Sequence, residues 1–197
     1  MKMERSFILL EGNCPVMLSA PHAVEHVREG RVRYPEPQTA ELAKVLHARL
    51  DCPIIYKTVN EGDDANYDEV SPYKQVLAEY ICGQGIKLLL DLHQMAGFRQ
   101  EQICIGTGRF VNIDDKCLVE KFVEIFRAKG LEHVSVDIPF AASYPYTVSS
   151  HIHRECKIPC VQIEINSNLL IEGQCEYAGE AVESALEEII HLVQREE

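Results

Sequence analysis

IKLLLDLHQ (86–94) decides the reading of this chain, because Leu88 to Leu90 are apolar at every position and the run then ends in Asp91, His93 and Gln94. A strand apolar on both faces belongs inside a sheet that helices cover on either side. CVQIEI (160–165) has the same character. Around these two lie further short runs that read as strands, FILLE (7–11), PVMLSA (15–20), PIIYKTV (53–59), QICIG (102–106) and VSVDI (134–138). Helical spacing falls between them. Thr39 to Leu50 carries Leu42, Val45, Leu46 and Leu50 on one stripe, and Asp115 to Lys129 carries Leu118, Phe122, Ile125 and Phe126. Two more helices are expected over Tyr73 to Cys82 and from about Glu176 to Val193. Strand and helix alternate, which predicts an α/β fold with helices packed on both faces of a sheet. Residues 60–72, NEGDDANYDEVSP, are acidic and without period, and read as a loop.

The 197 residues suit one domain, 1–197, able to bury a core without staples. With 19 Lys and Arg against 31 Asp and Glu, the formal charge of −12 repels phosphate backbones and anionic lipid. Neither nucleic acid nor a membrane is expected as a partner. No apolar run approaches the roughly 20 residues that span a bilayer. The start, MKMERSFILLEG, lacks a signal peptide's apolar core, and the eight Cys form no CxxC pair. A cytoplasmic protein with free thiols is the expectation.

Three strands deliver polar residues at their carboxyl ends. PVMLSA runs into Pro21 and His22, KLLLDL into His93 and Gln94, and CVQI into Glu164 and Asn166. Ligands of open α/β sheets bind beyond those ends, so His22, His93 and Glu164 are expected to converge. Two imidazoles and one carboxylate on a zinc ion, with a further carboxylate free to act on water, make up a catalytic zinc site. The third ligand has two candidates, Glu25 in His22-x-x-Glu25 and Glu36 before the first helix. Glu164 is the strongest single residue, since a carboxylate between Ile163 and Ile165 is costly to bury. Asp91 stands two residues before His93, on the same side of a strand, where it can support a ligand imidazole.

Other features carry less. Gly106-Thr107-Gly108 matches no phosphate-loop spacing and reads as a turn. His151-Ile152-His153, on a strand, would point two imidazoles one way. Cys156 and Cys160 read as buried thiols. Ser19 and Ser143 lie in no nucleophile elbow.

SAPHA (19–23), DLHQM (91–95), ICIGTG (103–108), DIPFAASYPYT (137–147) and QIEIN (162–166) together resemble the N-formylglutamate amidohydrolase family, in which comparable segments occur in this order. The resemblance implies a three-layer αβα sandwich with a mixed, mostly parallel sheet, of the phosphorylase/hydrolase type shared with zinc carboxypeptidases. It implies one zinc ion per chain and hydrolysis of a linear amide in a small-molecule substrate. His22 and His93 match the family's metal histidines, and Glu164 matches its glutamate in the strand motif, the expected general base. The family's acidic ligand follows well downstream of the first histidine, which favours Glu36 over Glu25. Within DDANYD (63–68), Asn66 matches a substrate contact. Tyr67 and Ser167 stand where the family has Arg, the natural bidentate partner of a carboxylate. Arg99 or Arg154 is the expected replacement, with Tyr144 and Tyr146 lining the pocket. The expected substrate is an N-acyl amino acid resembling N-formylglutamate. A peptidase or cell-wall amidase, or a silent metal-containing binding protein, is the alternative on the same fold.

Overall fold

The computed structural model describes residues 6–170 and 178–195. The expected strands are present as β1 (Phe7–Leu10), β2 (Val16–Ala20), β5 (Ile54–Lys57), β6 (Leu88–Met95), β7 (Ile103–Gly106), β8 (Val134–Val136) and β9 (Cys160–Asn166). They form one mixed sheet in the order β1-β5-β2-β6-β9-β7-β8. Its centre, β5-β2-β6-β9, is parallel throughout, while β1 and β7 run antiparallel to β5 and β9. The helices are α1 (Pro37–Leu50), α2 (Pro72–Gly83), α3 (Lys116–Ala128), α4 (Val148–Cys156) and α5 (Ala178–Arg195). The expected start of the last helix at Glu176 lies outside the described residues.

Period-two alternation explains the layers. Leu88, Leu90 and Leu92 of β6 and Val161, Ile163 and Ile165 of β9 enter one core with Leu46 of α1, Phe122 and Phe126 of α3, and Leu186, Ile189 and Ile190 of α5. The opposite positions, Leu89 and Cys160, enter a second core with Tyr73, Leu77 and Ile81 of α2 and Val148 and Ile152 of α4. Helix starts are set by ordinary capping. Asp115 accepts from Leu118 N at 2.9 Å before α3, and Thr147 accepts from Ser150 N at 3.2 Å before α4.

A ribbon and a helix are among the additions to the sequence reading. A short antiparallel ribbon, β3 (His26–Arg28) with β4 (Arg31–Arg33), follows β2. Helix α4 replaces the strand considered for His151-Ile152-His153. Residues two apart do not share a helix face, and His153 Nδ1 donates instead to Ile158 O at 2.8 Å. The 106–108 segment is a structural turn. Thr107 N and Oγ1 both donate to Asp137, Gly108 has φ +66, and a Cβ there would meet the Asn112 side chain.

Candidate metal centre and cleft

The second face of the sheet changes character along its strands. Beyond Met17, Leu89 and Cys160 come Ser19, then Asp91 and His93, then Gln162, Glu164 and Asn166, all buried. Register sets His93 directly beside Glu164 across the β6/β9 pairing. His22 follows β2, and its carbonyl accepts from Glu36 N at 2.7 Å, which draws the start of α1 over the strand ends. There the Glu36 carboxylate faces both imidazoles, Oε1 3.2 Å from His22 Nδ1 and Oε2 3.4 Å from His93 Nδ1. Gln94 N also donates to Oε2, at 2.9 Å.

What lies behind each ring fixes its chemistry. His22 Nε2 donates to Asp64 Oδ1 at 2.8 Å, and His93 Nε2 to Asp91 Oδ2 at 3.2 Å. With both Nε2–H groups spent on carboxylates, both Nδ1 atoms turn toward Glu36. Two ring nitrogens and a carboxylate so placed call for positive charge between them, supplied by ring protons or by a bound cation. Ligand atoms from His22, Glu36 and His93 all lie within 4.8 Å of one another. An imidazole backed by a carboxylate is the usual support of a metal-ligating histidine, so these residues fit a divalent cation.

The proton affinities agree. Burial alone would lift the Glu36 carboxyl, but His22 and His93 beside it hold it well below the usual range. Burial alone would depress His22 and His93, yet Glu36 and Asp64 raise the first and Asp91 and Glu36 raise the second. Glu164 differs. Burial dominates and pushes its carboxyl up to about 7, against the opposing pull of His93. Gln162 Nε2 donates to Glu164 Oε1 at 2.9 Å and orients it.

These residues line a cleft of about 710 Å³. Asn66 lies on its wall, its Nδ2 donating to Gln162 Oε1 at 3.3 Å and its Oδ1 accepting from Val148 N at 2.7 Å. Tyr144 lines it too, stacked on Tyr67 with ring centroids 5.1 Å apart. Arg99 lies against the Phe140 ring at 4.7 Å, and its buried Nε has no hydrogen-bond partner among the described residues. Arg28 and Arg33 of the ribbon line the same cleft, with Arg28 Nε donating to Asp64 Oδ2 at 2.8 Å. Buried Lys74 joins the two bordering loops, donating to Asp68 O and Tyr146 O at 2.5 and 2.6 Å.

Other expected residues are elsewhere. Glu25 is exposed, because residues 21–24 turn instead of forming the helix that its spacing from His22 presupposed. Arg154 lies on the exposed side of α4, its guanidinium on Pro145 O, Glu155 and His151. Tyr146 is not among the lining residues. Besides Arg28 and Arg33, the sequence reading does not single out Asp64, His26 or Gln162. Asp64 sits in the aperiodic loop, which gives no hint of folding back onto His22. His26 stacks on the His22 ring at 3.7 Å. Gln162 was recoverable, since alternation places it on the face of Glu164.

The family model of N-formylglutamate amidohydrolases matches residues 70–171, more than half of the chain. The chain belongs to the N-formylglutamate amidohydrolase family. The matched segment contains His93 and Glu164, whereas His22, Glu36 and Asp64 precede it. Among solved structures, N-formylglutamate amidohydrolase from Ralstonia eutropha JMP134 superposes with a TM-score of 0.70 at 16% identity, over 96% of this chain and 99% of that one. A bacteriophage poly-gamma-glutamate hydrolase gives 0.58 at 14% identity, over 100% of this chain and 91% of that one. A metallo-carboxypeptidase from Burkholderia cenocepacia gives 0.55 at 11% identity, over 96% of this chain and 65% of that one. At these identities the likeness is one of fold. A search of curated proteins finds no match.

Proposed function

We propose that this amidohydrolase-family chain cleaves the amide bond of an N-acyl amino acid, with a zinc ion held by His22, Glu36 and His93 and with Glu164 as general base. The observation that carries the reading is the pair of Nδ1 atoms turned onto one carboxylate, each ring locked from behind by Asp64 or Asp91. When bound, the ion supplies a Lewis acid that polarises a carbonyl and makes water acidic. Glu164, one strand away and held near neutrality, accepts the proton of the attacking water and returns it to the departing amine. Asn66 and Gln162, already hydrogen-bonded to each other, present polar atoms beside that carboxylate. In a chain of net charge −12 the cleft gathers Arg28, Arg33 and Arg99, which suits a substrate carrying carboxylate groups. Arg99, with its unengaged Nε, takes the place that Arg154 does not reach. The substrate is a small molecule rather than nucleic acid or lipid, and the chain acts in the cytoplasm. A peptide amide is a second reading, favoured by a cleft much larger than a formyl amino acid and rimmed by Tyr34, Tyr67 and Tyr144.

Chelator-treated protein reconstituted with zinc, analysed for metal content and then screened against N-acyl amino acids and short acidic peptides, tests the proposal. One zinc per chain with amide cleavage is expected, and Glu164→Gln is expected to keep the zinc and lose turnover. Zinc content unchanged in the His22→Ala, His93→Ala double variant would overturn the ligand assignment.

A further inference from the structure

At the far ends of α2 and α4, the two helices whose preceding loops border the cleft, lies a pair of thiols. Cys82, the last residue but one of α2, is exposed, and its Sγ is 2.7 Å from Sγ of Cys156, the last residue of half-buried character on α4. The two helices pack along each other and run in the same direction. Lys74 near the start of α2 reaches Tyr146 just ahead of α4, and the cysteines meet at both carboxyl ends. Cys156 Sγ also lies 3.5 Å from Ala78 O, one turn before Cys82, so its side chain is already directed along α2. Proximity in the folded state is what intramolecular disulfide formation requires, and 74 residues of chain separate the two positions.

We propose that Cys82 and Cys156 form a thiol-modification site that takes a low-molecular-weight disulfide as oxidant and closes to a reversible bond between α2 and α4. The exposed Cys82 thiolate attacks the oxidant, forming a mixed disulfide and releasing one small thiolate. Cys156, after giving its proton to solvent, attacks the Cys82 sulfur of that mixed disulfide and releases the second. Two protein thiols are oxidised to one disulfide, and one small-molecule disulfide is reduced to two thiols. Burial and then the neighbouring Cys82 sulfur push the Cys156 thiol up to about 12, which agrees with Cys82 acting first. Cys14 and Cys52 also face each other, but both are buried, Cys14 against Gln194 of α5.

The bond closes a long loop between elements that already touch, so it restricts the unfolded chain more than it rearranges the folded one. Its place at the helix ends remote from Asn66 and Thr147 leaves the cation site untouched. The expected gain is a Tm higher by roughly 5–15 °C, reversed by dithiothreitol.

The test is to equilibrate the full chain across a series of reduced to oxidised glutathione, quench with N-ethylmaleimide, and read intact mass, peptide map and Tm. Loss of two alkylation sites without retained glutathione, a linked peptide pair containing Cys82 and Cys156, and the rise in Tm are expected. Cys117→Ser should keep the link, while Cys82→Ser and Cys156→Ser should each lose it. Glutathione retained on Cys82 with Cys156 alkylated across the whole series would overturn the proposal, as would a linked pair that omits either residue. The peptide map of the unaltered chain decides the matter even if a serine variant folds poorly.

Discussion

Along Leu88–Met95 the two sides of one strand part company. Leu88, Leu90 and Leu92 keep one side apolar beneath α1, α3 and α5 as far as Gln94, whereas on the other side Leu89 already gives way to Asp91 and His93. Cys160–Asn166 repeats the division, with Val161, Ile163 and Ile165 on the first side and Gln162, Glu164 and Asn166 on the second. A continuous apolar face can fill its volume and stabilise in proportion to the area withdrawn from water. The divided face gives up part of that gain to hold ionisable groups out of water, where they keep unusual proton affinities and interact strongly. Stability and chemistry thus fall on opposite sides of the same strands, and variants of the two sides should separate cleanly.

The largest expected effect is on the divided face. Glu164→Gln should lower kcat/KM by about 10²–10⁴ while leaving zinc content and KM nearly unchanged, because it removes a proton acceptor and keeps its shape. Steady-state kinetics on a cleaved amide, beside metal analysis, checks this. If kcat falls only together with metal content, Glu164 is a structural support and the contrast between the faces weakens. On the continuous face, Phe122→Ala should cost about 3–5 kcal/mol of stability, since Phe122 is fully buried among α3, α5 and the sheet. Its zinc affinity should not change, which denaturant unfolding and a metal titration would together establish.

How far the sequence discloses this division depends on what kind of signal each residue leaves. His22, His93 and Glu164 were legible because each interrupts an apolar run at a strand's carboxyl end, and the layer order followed from alternation. Asp64 was not, because its role arises from tertiary folding of residues 60–72 over β2, which local pattern does not encode. Arg154 was misplaced for a related reason. The residues just before it, His151-Ile152-His153, are considered as a strand, but Thr147 caps a helix there and residue 154 lies on its exposed side. Glu25 is a candidate only through a spacing from His22 that a helix would make meaningful, whereas Glu36 is favoured by the family resemblance and not by local pattern.

Asp64 supplies a smaller effect that sharpens the contrast. It is fully buried, takes His22 Nε2 and Arg28 Nε, and is held well below the usual carboxylate range by both despite its burial. Asp64→Asn keeps the shape but loses the charge that favours one tautomer of His22. Zinc affinity should fall by about 10–100-fold. A competition titration with a chromophoric chelator measures it, and an unchanged affinity would remove Asp64 from the support of the site.

The smallest effect concerns stability and runs opposite to that of Phe122→Ala. The Glu164 carboxyl has its folded pKa raised to about 7, above the ordinary value of 4.5, chiefly by burial. The folded protein therefore binds the proton more tightly than the unfolded chain does. Its stabilising contribution is complete below about 4.5 and is lost as pH rises through about 7. Above that pH a charged carboxylate is buried at a cost which Gln, its neutral isostere, does not incur. In chelator-treated protein Glu164→Gln should accordingly be about as stable as the unaltered chain near pH 4.5 and more stable at pH 8. Urea unfolding at the two pH values reads the difference. A variant less stable at pH 8 would mean that the carboxylate is stabilised by His93 more than it is penalised by burial. The divided face would then owe its stability to its charges rather than bear them as a cost.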